Sequence, residues 1–167
     1  MPERLRLLVL MAAWCGLRFG ELTELRRSDV DLRRGVIVVE RGVVRLRGGV
    51  RHVDTPKSEA GEREVHIPPH LVPLVRAHPA ADITGGRDGL LFPGKDGRQL
   101  ASSSFYGRAP GTKDKKTGRT LSAWGFYAAR ATAGRPDLRL HDLWHTAGTS
   151  ATQAGATLAE VMAILGH

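Results

Sequence analysis

Apolar residues recur at helical spacing at the start of the chain. The positions that fall near one face of a helix from Arg4 to Arg18 are Leu5, Leu8, Val9, Ala12, Ala13 and Gly16. The single cysteine, Cys15, lies in this stretch, so we expect it to be packed inside a helix. A second helix is predicted to begin at Glu21.

β-branched residues mark the next part of the chain. Residues 35–40 read Gly-Val-Ile-Val-Val-Glu, which predicts a strand after a turn at residues 28–31. The β pattern continues at residues 43–46 and 64–67, and the segment between them, residues 48–61, is polar and turn-forming. We therefore expect one small three-stranded antiparallel sheet.

Helical patterns, separated by loops rich in glycine, proline and charge, dominate the rest of the chain. The predicted helices cover residues 71–77, 101–107, 121–133, 143–154 and 158–165. Neither an internal repeat nor an interdomain linker is visible. The sequence therefore predicts a single α+β domain, mainly helical, with its sheet near the N-terminal third.

The composition adds a strong positive charge to this picture. The 167 residues include 25 lysines and arginines but 17 aspartates and glutamates, which gives a net charge of +8 and a pI near 10.5. This excess favours a polyanionic partner, above all nucleic acid, although a basic solvated surface has the same composition. The apolar stretches are shorter than the roughly 20 residues of a membrane span, and no signal peptide is recognisable. We expect a cytoplasmic protein without membrane association.

Arg18 and Glu21 are the first residues with an evident chemical use. A guanidinium can bind two phosphate oxygens with its planar fork, and a glutamate three residues later can orient it. An arginine–glutamate pair that only caps a helix has the same spacing. Lys57, on the predicted turn, is by itself a surface lysine.

His141 and His145 are four residues apart near the start of a predicted helix. Asp142 is expected to cap the helix from Leu143, which places His141 beside a helix N-terminus, where anions bind well. Two zinc ligands share this spacing, but residue 142 is not the glutamate of a zinc peptidase and no third ligand is suggested. We expect no metal, and a buried, hydrogen-bonded His145.

Four segments resemble, in order, the catalytic domain of the tyrosine recombinase (phage integrase) family. They are Gly16-Leu17-Arg18-Phe19-Gly20-Glu21, the turn around Lys57, His141-Asp142-Leu143-Trp144-His145-Thr146 and Leu165-Gly166-His167. In this family the arginine binds the scissile phosphate, and the hairpin lysine is the general acid toward the leaving 5′ hydroxyl. The resemblance implies catalytic roles for Arg18, Lys57, His141 and His167, with supporting roles for Glu21 and His145.

Two features depart from the family pattern. Trp144 stands where the His-x-x-Arg-His-Thr box has an arginine, and an indole, which we expect to fill apolar space, cannot replace a charged bidentate ligand. Tyr106 and Tyr127 precede the histidine box, so we interpret both as packing residues, and no tyrosine follows His167. We therefore expect residues 1–167 to be a catalytic domain that is incomplete at its C-terminus, lacks the family's N-terminal domain and is inactive.

The implied activity is site-specific DNA recombination, in which strands are cut and rejoined through a 3′-phosphotyrosine intermediate. The alternative is a non-catalytic duplex-DNA-binding module or the remnant of a decayed prophage gene. The expected partner is double-stranded DNA, bound by a chain that is monomeric without DNA and tetrameric on it, and no cofactor is expected. Clustered charge predicts contacts to the DNA backbone from Arg108, Lys113, Lys115 and Lys116.

Overall fold

The computed structural model describes residues 1–45, 51–54, 62–78 and 86–166. The α-helices of this part of the chain are α1 (Arg6–Cys15), α2 (Phe19–Glu24), α3 (Val72–Arg76), α4 (Ser102–Tyr106), α5 (Gly125–Thr132), α6 (Leu140–Gln153) and α7 (Leu158–Leu165). The β-strands are β1 (Val30–Asp31), β2 (Val36–Val39), β3 (Gly42–Arg45), β4 (Arg51–Asp54) and β5 (Arg63–His66). The predicted class, α+β and mainly helical with a small three-stranded sheet, is confirmed.

Helix α1 supplies the centre of the hydrophobic core. Leu8, Met11, Ala12 and Cys15 are fully buried in an apolar cluster that also includes residues of the sheet, α4 and α5. Burial raises the pKa of the Cys15 thiol to about 12, as fits a packed residue. The helix ends earlier than predicted because Gly16 leaves the helical conformation at a φ of +61°.

The three-stranded antiparallel sheet has the order β1-β2-β5. Val30 lies opposite Ile37, and Ile37 lies opposite Val65. The predicted turn at residues 28–31 is wrong in its second half, because the backbone of Val30 and Asp31 pairs with β2 to form an edge strand. The sheet therefore contains the strands predicted at residues 35–40 and 64–67, but its third strand is residues 30–31 instead of residues 43–46.

Strand β3, predicted as part of this sheet, instead pairs with β4 in a separate two-stranded ribbon. Strand β4 lies inside the segment predicted as a polar turn. Its sequence has no core pattern, and Val53, which lies opposite Val43, is 40% exposed. The ribbon passes close to α2, since a Cβ on Gly20 would lie 2.6 Å from the carbonyl oxygen of Val43.

Helices α5, α6 and α7 bring the C-terminal half against the end of α1. Helix α5 begins later than predicted because Trp124 forms a β-bridge with Arg108, whereas α6 begins earlier, at Leu140. Helix α6 packs against both α1 and α7. The bounds predicted for α7 are confirmed, with Gly166 at a φ of +70° after its last residue.

Candidate active site

Arg18 lies at the junction of α1 and α2, where it is the residue before α2 and has an extended backbone. Its N–H donates to Oε2 of Glu21 at 2.8 Å, and its Nη1 donates to Oε1 at 3.3 Å. A carboxylate at the third helical position satisfies an N–H near the helix start. Glu21 thus caps α2 and holds the guanidinium of Arg18. The pairing predicted from their spacing is confirmed, and the catalytic role of Arg18 stays a prediction.

A second guanidinium, which was not predicted from the sequence, binds the same carboxylate. Nη1 and Nη2 of Arg63 lie 3.1 and 3.0 Å from Oε1 and Oε2 of Glu21, and only 6% of the Arg63 side chain is exposed. Arg63 shares the face of its strand with Val65 and, just past the strand, with Ile67, both of which are buried. The sequence signal that could have identified Arg63 is its position on the same face of the strand as these apolar residues.

The C-terminal end of α7 lies against both guanidiniums. Nε of Arg63 donates to the carbonyl oxygen of Ile164 at 2.9 Å, and Nη2 of Arg18 donates to that of Gly166 at 3.3 Å. A Cβ on Gly166 would lie 2.8 Å from Nη1 of Arg63 and 3.4 Å from Nη1 of Arg18. The positive φ favours glycine at position 166, and a Cβ there would also displace the guanidinium of Arg63.

Two predicted catalytic residues, Lys57 and His167, lie outside the described residues. Lys57 belongs to the segment between β4 and β5, and His167 follows Gly166 in the sequence. The catalytic roles that the resemblance implies for them therefore stay predictions.

Helix α6 carries the three ring-bearing residues of the histidine box. Asp142, predicted to stand before this helix as its cap, is instead its third residue, because the helix begins earlier than predicted. Its carboxylate accepts a hydrogen bond from the N–H of Arg139 at 2.8 Å, so it still satisfies the helix start. The Arg139 guanidinium, hydrogen-bonded to the same carboxylate, holds the pKa of Asp142 below its usual value.

The indole of Trp144 is buried, with 5% of the residue exposed, and packs with Ala147 and Leu165. The expectation that it fills apolar space is confirmed. The exposed ring of His141 stacks on it, with ring centroids 5.2 Å apart and planes 8° apart. The prediction of a buried His145 is wrong: its ring is exposed and meets the other two edge-on, because Trp144 occupies the inward side of the helix.

Arg18 reaches the same indole. Its Cζ lies 5.1 Å from the centroid of the Trp144 ring, which is within the range of a cation–π interaction. The fold thus gathers Arg18, Glu21, the end of α7 and the His141 helix into one cluster. At position 144, where the resemblance implies a second guanidinium, this cluster has an apolar ring.

The basic loop, predicted at residues 107–119, extends over residues 107–124 in the structure, between α4 and α5. Lys113, Lys115 and Lys116 are exposed, and Arg108 is half-buried. Asp114 accepts a hydrogen bond from the N–H of Lys116 at 3.0 Å, which holds the tip of the loop as a turn. Within the described residues, the four basic side chains form no hydrogen bond or ion pair with the cluster above. The loop is therefore a separate basic surface.

Tyr106 and Tyr127 belong to an aromatic cluster with Phe19, Phe105 and Phe126. The two tyrosine rings lie 5.4 Å apart, and burial raises the pKa of Tyr106. Phe19 is the first residue of α2, so the cluster also supports the helix that begins next to the candidate site. The interpretation of both tyrosines as packing residues is confirmed.

Within residues 1–45, 51–54, 62–78 and 86–166, no three His, Cys, Asp or Glu side chains are grouped so that they could hold a metal ion. No helix in these ranges is both long and apolar enough to cross a membrane.

Solved structures share this fold. The Tn1549 transposon integrase, in complex with transposon right end DNA, superposes with a TM-score of 0.71 at 20% identity, covering 99% of this chain and 51% of that one. The XerA recombinase superposes with a TM-score of 0.64 at 21% identity, covering 98% of this chain and 47% of that one. The fold is therefore that of a class of integrases and recombinases.

Sequence comparison identifies the family. The phage integrase family model matches residues 1–167. The chain is 47% identical over 169 residues to the prophage phiRv2 integrase of Mycobacterium tuberculosis H37Rv and 37% identical over 173 residues to the integrase of mycobacterium phage L5. These alignments cover 100% and 99% of this chain but only 40% and 41% of the relatives. The chain belongs to the phage integrase family and spans about two-fifths of the length of these relatives.

Proposed function

We propose that the chain is the catalytic domain of a site-specific DNA recombinase, which cuts and rejoins strands through a 3′-phosphotyrosine intermediate. The observation that carries this proposal is one cluster of family residues from distant parts of the sequence. The guanidinium of Arg18 is hydrogen-bonded to Glu21 and to the carbonyl of Gly166, and it lies over the helix that presents His141. Membership of the phage integrase family supports the same activity.

The chemistry follows from what these groups can donate. A phosphoryl transfer between hydroxyls needs donors to the non-bridging oxygens, an acid for the leaving oxygen and a nucleophile in line with it. Arg18 has 36% of its side chain exposed, so its fork can exchange the 3.3 Å contact with a carbonyl for a phosphate oxygen. The exposed His141 ring can donate to the same phosphate. Lys57 and His167 would add the acid and a further donor, as the resemblance implies.

Under the proposal, Trp144 strongly slows cleavage by this catalytic domain. Loss of one preorganised donor in such a site typically slows the reaction by about 100- to 1,000-fold, and a charged bidentate donor is the stronger kind. Tyr106 and Tyr127 are held in the aromatic cluster, so the nucleophile has to come from outside this sequence. Residues 1–167, taken by themselves, would then bind DNA without cutting it.

Restoring both missing groups tests the proposal. The variant Trp144→Arg would be extended at its C-terminus with a tyrosine-bearing segment of the kind that the family resemblance implies, and incubated with a nicked duplex that traps covalent intermediates. We expect protein–DNA adducts that survive denaturing electrophoresis. Changing the added tyrosine to phenylalanine should abolish them, and leaving Trp144 in place should reduce them strongly. Duplex binding without adducts in the doubly restored chain would overturn the enzymatic proposal.

The second candidate is a non-catalytic duplex-binding module, including the remnant of a decayed prophage gene. The net charge of +8 and the buried indole at position 144 favour it. It predicts salt-dependent binding and no adducts even after both restorations. In either case we propose that the chain is cytoplasmic and monomeric before it meets DNA, and that the full-length protein forms the family's tetramer on DNA.

The basic loop provides a test of how DNA is held. Reversal of its three exposed lysines to glutamate should weaken binding to all duplexes and lower the slope of log affinity against log salt by about 0.9 for each lost phosphate contact. The matched control reverses three exposed charges elsewhere: Arg87, Lys95 and Arg98. Equal slopes for the two triple variants would remove the loop from the proposed interface.

A further inference from the structure

Among the described residues, Arg63 donates hydrogen bonds to Ile164, Glu21 and Gly16, which belong to three different parts of the fold. Its Nε donates to the carbonyl oxygen of Ile164, at the end of α7, at 2.9 Å. Its Nη1 and Nη2 donate to the carboxylate of Glu21, in α2, at 3.1 and 3.0 Å. Nη2 also donates to the carbonyl oxygen of Gly16, just after α1, at 3.3 Å. One buried guanidinium therefore joins the start of β5 to the ends of two helices and to the carboxylate that binds Arg18.

These acceptors suit a guanidinium for physical reasons. The last carbonyls of a helix have no partner within the helix and carry partial negative charge, so a cation is stabilised at the ends of α1 and α7. A charge that is only 6% exposed needs a paired counter-charge, which Glu21 supplies with both oxygens. An ammonium group could not reach both the carboxylate and two carbonyls in these directions, whereas the planar fork of arginine does.

The carboxylate of Glu21 is also what keeps the two guanidiniums together. Arg18 and Arg63 both donate to its Oε1. The Nη1 atoms of both arginines also lie close to Gly166, just after α7. Without the Arg63 fork, Glu21 would be held only by the N–H and the guanidinium of Arg18, and the last turn of α7 would lose its hydrogen bond at Ile164. The position of Arg18 and the path of the chain at Gly166 therefore depend on the same side chain.

We propose that Arg63 is a positioning residue of the candidate active site: it orients Glu21, and through it Arg18, and it fixes the turn that leads into His167. This role rests on the proposed function, because it matters for catalysis only if Arg18 binds the scissile phosphate. Arg63 itself is covered by its partners and does not touch the substrate.

Hydrogen exchange of the full chain tests the inference without requiring catalysis. In Arg63→Met, which keeps an apolar stem, amides of residues 163–166 should exchange more than about tenfold faster than in the parent, because hydrogen bonds to a charged group are lost. Amides of α6 at residues 146–152 should change much less. Arg63→Lys should restore only part of the protection, since it keeps the charge and loses the fork.

Two controls separate positioning from a general loss of stability. Arg34→Met removes an equally bidentate arginine–glutamate pair from the same sheet, but at an exposed site, with Nη2 of Arg34 2.7 Å from Glu64. Val75→Ala removes buried apolar volume in α3. Neither of these two variants should selectively accelerate the amide exchange of residues 163–166. Equal acceleration in Val75→Ala, or full protection in Arg63→Lys, would overturn the inference.

The indole beside Arg18 gives a spectroscopic readout of the same effect. With Trp14 and Trp124 changed to phenylalanine, the fluorescence reports only Trp144, over which the Arg18 guanidinium lies. Arg63→Met should increase acrylamide quenching of this indole in native buffer, because Arg18 and the end of α7 no longer cover it in one position. Quenching equal to that of the two-phenylalanine parent would contradict the proposed link from Arg63 to Arg18.

Failure of this inference and failure of the proposed function give different results. Adducts in the restored chain, together with unchanged exchange in Arg63→Met, would overturn the positioning role alone. Selective exchange without adducts would leave Arg63 as the residue that holds Glu21 and α7 and would overturn the recombinase activity alone.

Discussion

Changing Trp144 to arginine places a second guanidinium next to Arg18. This variant tests whether the side chains at positions 18 and 144 can together bind one phosphate. The parent has a buried indole there, 5% exposed, with the Arg18 Cζ 5.1 Å from the ring centroid. In Trp144→Arg, two like charges would share one small site. The variant should therefore be less stable than the parent in the absence of anions, and an anion should restore part of the loss.

The magnitude has two parts. Replacement of the large indole by a thinner stem beside Ala147 and Leu165 should cost about 2–3 kcal/mol in transfer and cavity energy. Two unit charges about 5 Å apart repel by about 3 kcal/mol at an effective dielectric constant near 20. Since the side chain of Arg18 is 36% exposed, solvent screening reduces this to about 1–2 kcal/mol. The expected total loss is about 3–5 kcal/mol.

Urea unfolding with inorganic phosphate at constant ionic strength measures both parts. Phosphate bound between the two forks should stabilise Trp144→Arg by about 2 kcal/mol at fifty times its dissociation constant, and the parent by much less. Trp14→Arg is the control because it adds the same charge at a residue that is 48% exposed and lies edge-on to His70. Sulfate should act in the same way as phosphate, since the recognition is of a tetrahedral oxyanion.

Two results would refute this reasoning. If phosphate stabilised the parent, Trp14→Arg and Trp144→Arg by the same amount, position 144 would not complete an anion site with Arg18. If Trp144→Arg were as stable as the parent without any anion, the indole would not be packed as the structure shows, and the estimate from burial would fail.

Further predictions concern a turn, a helix start and the buried thiol. Gly166→Ala should lower the free energy of unfolding more than Gly155→Ala, because both have a positive φ but only a Cβ at 166 meets a guanidinium nitrogen, at 2.8 Å; equal losses in urea would contradict this. The hydrogen bond from Arg139 lowers the pKa of Asp142 in the folded state. The ionised carboxylate therefore stabilises the fold at pH values above the ordinary pKa of 3.8, and this stabilisation is lost as the pH falls through the folded-state pKa. Asp142→Asn should thus flatten the acid side of the stability profile, and an unchanged acid limb would count against the cap. The thiol of Cys15, with its pKa raised to about 12, should react with a disulfide reagent only as the protein opens, so its rate should rise with urea; a rate equal to that of free cysteine would contradict its burial.

Local patterns were sufficient where the physical cause is itself local. Helix α7 could be bounded from its amphipathic order and its terminal glycine, because the apolar face and the left-handed stop are both properties of neighbouring residues. The pairing of Arg18 with Glu21 was predicted for the same reason, since three residues at a helix start bring the two groups together. The family could be recognised because its chemistry requires particular residue types in a fixed order.

Prediction failed where pairing or burial depends on distant residues. Strand β4 has no apolar alternation, so only its pairing with β3 makes it a strand. His145 and Trp144 are neighbours in the sequence, but the indole turns inward with Leu140 and Ala147 while the imidazole stays exposed. That choice is made by the packing of α6 against α1 and α7.

Composition, periodicity and short-range spacing were enough to predict the class of fold and the residue types available for phosphate chemistry, and the ordered motifs were enough for the resemblance to the family. Which charges meet depends on the tertiary structure. Arg63 is 42 residues from Glu21 and 101 from Ile164 along the chain. Their hydrogen bonds exist because the sheet and α7 pack at the end of α1, where a buried charge must find all of its partners across the fold.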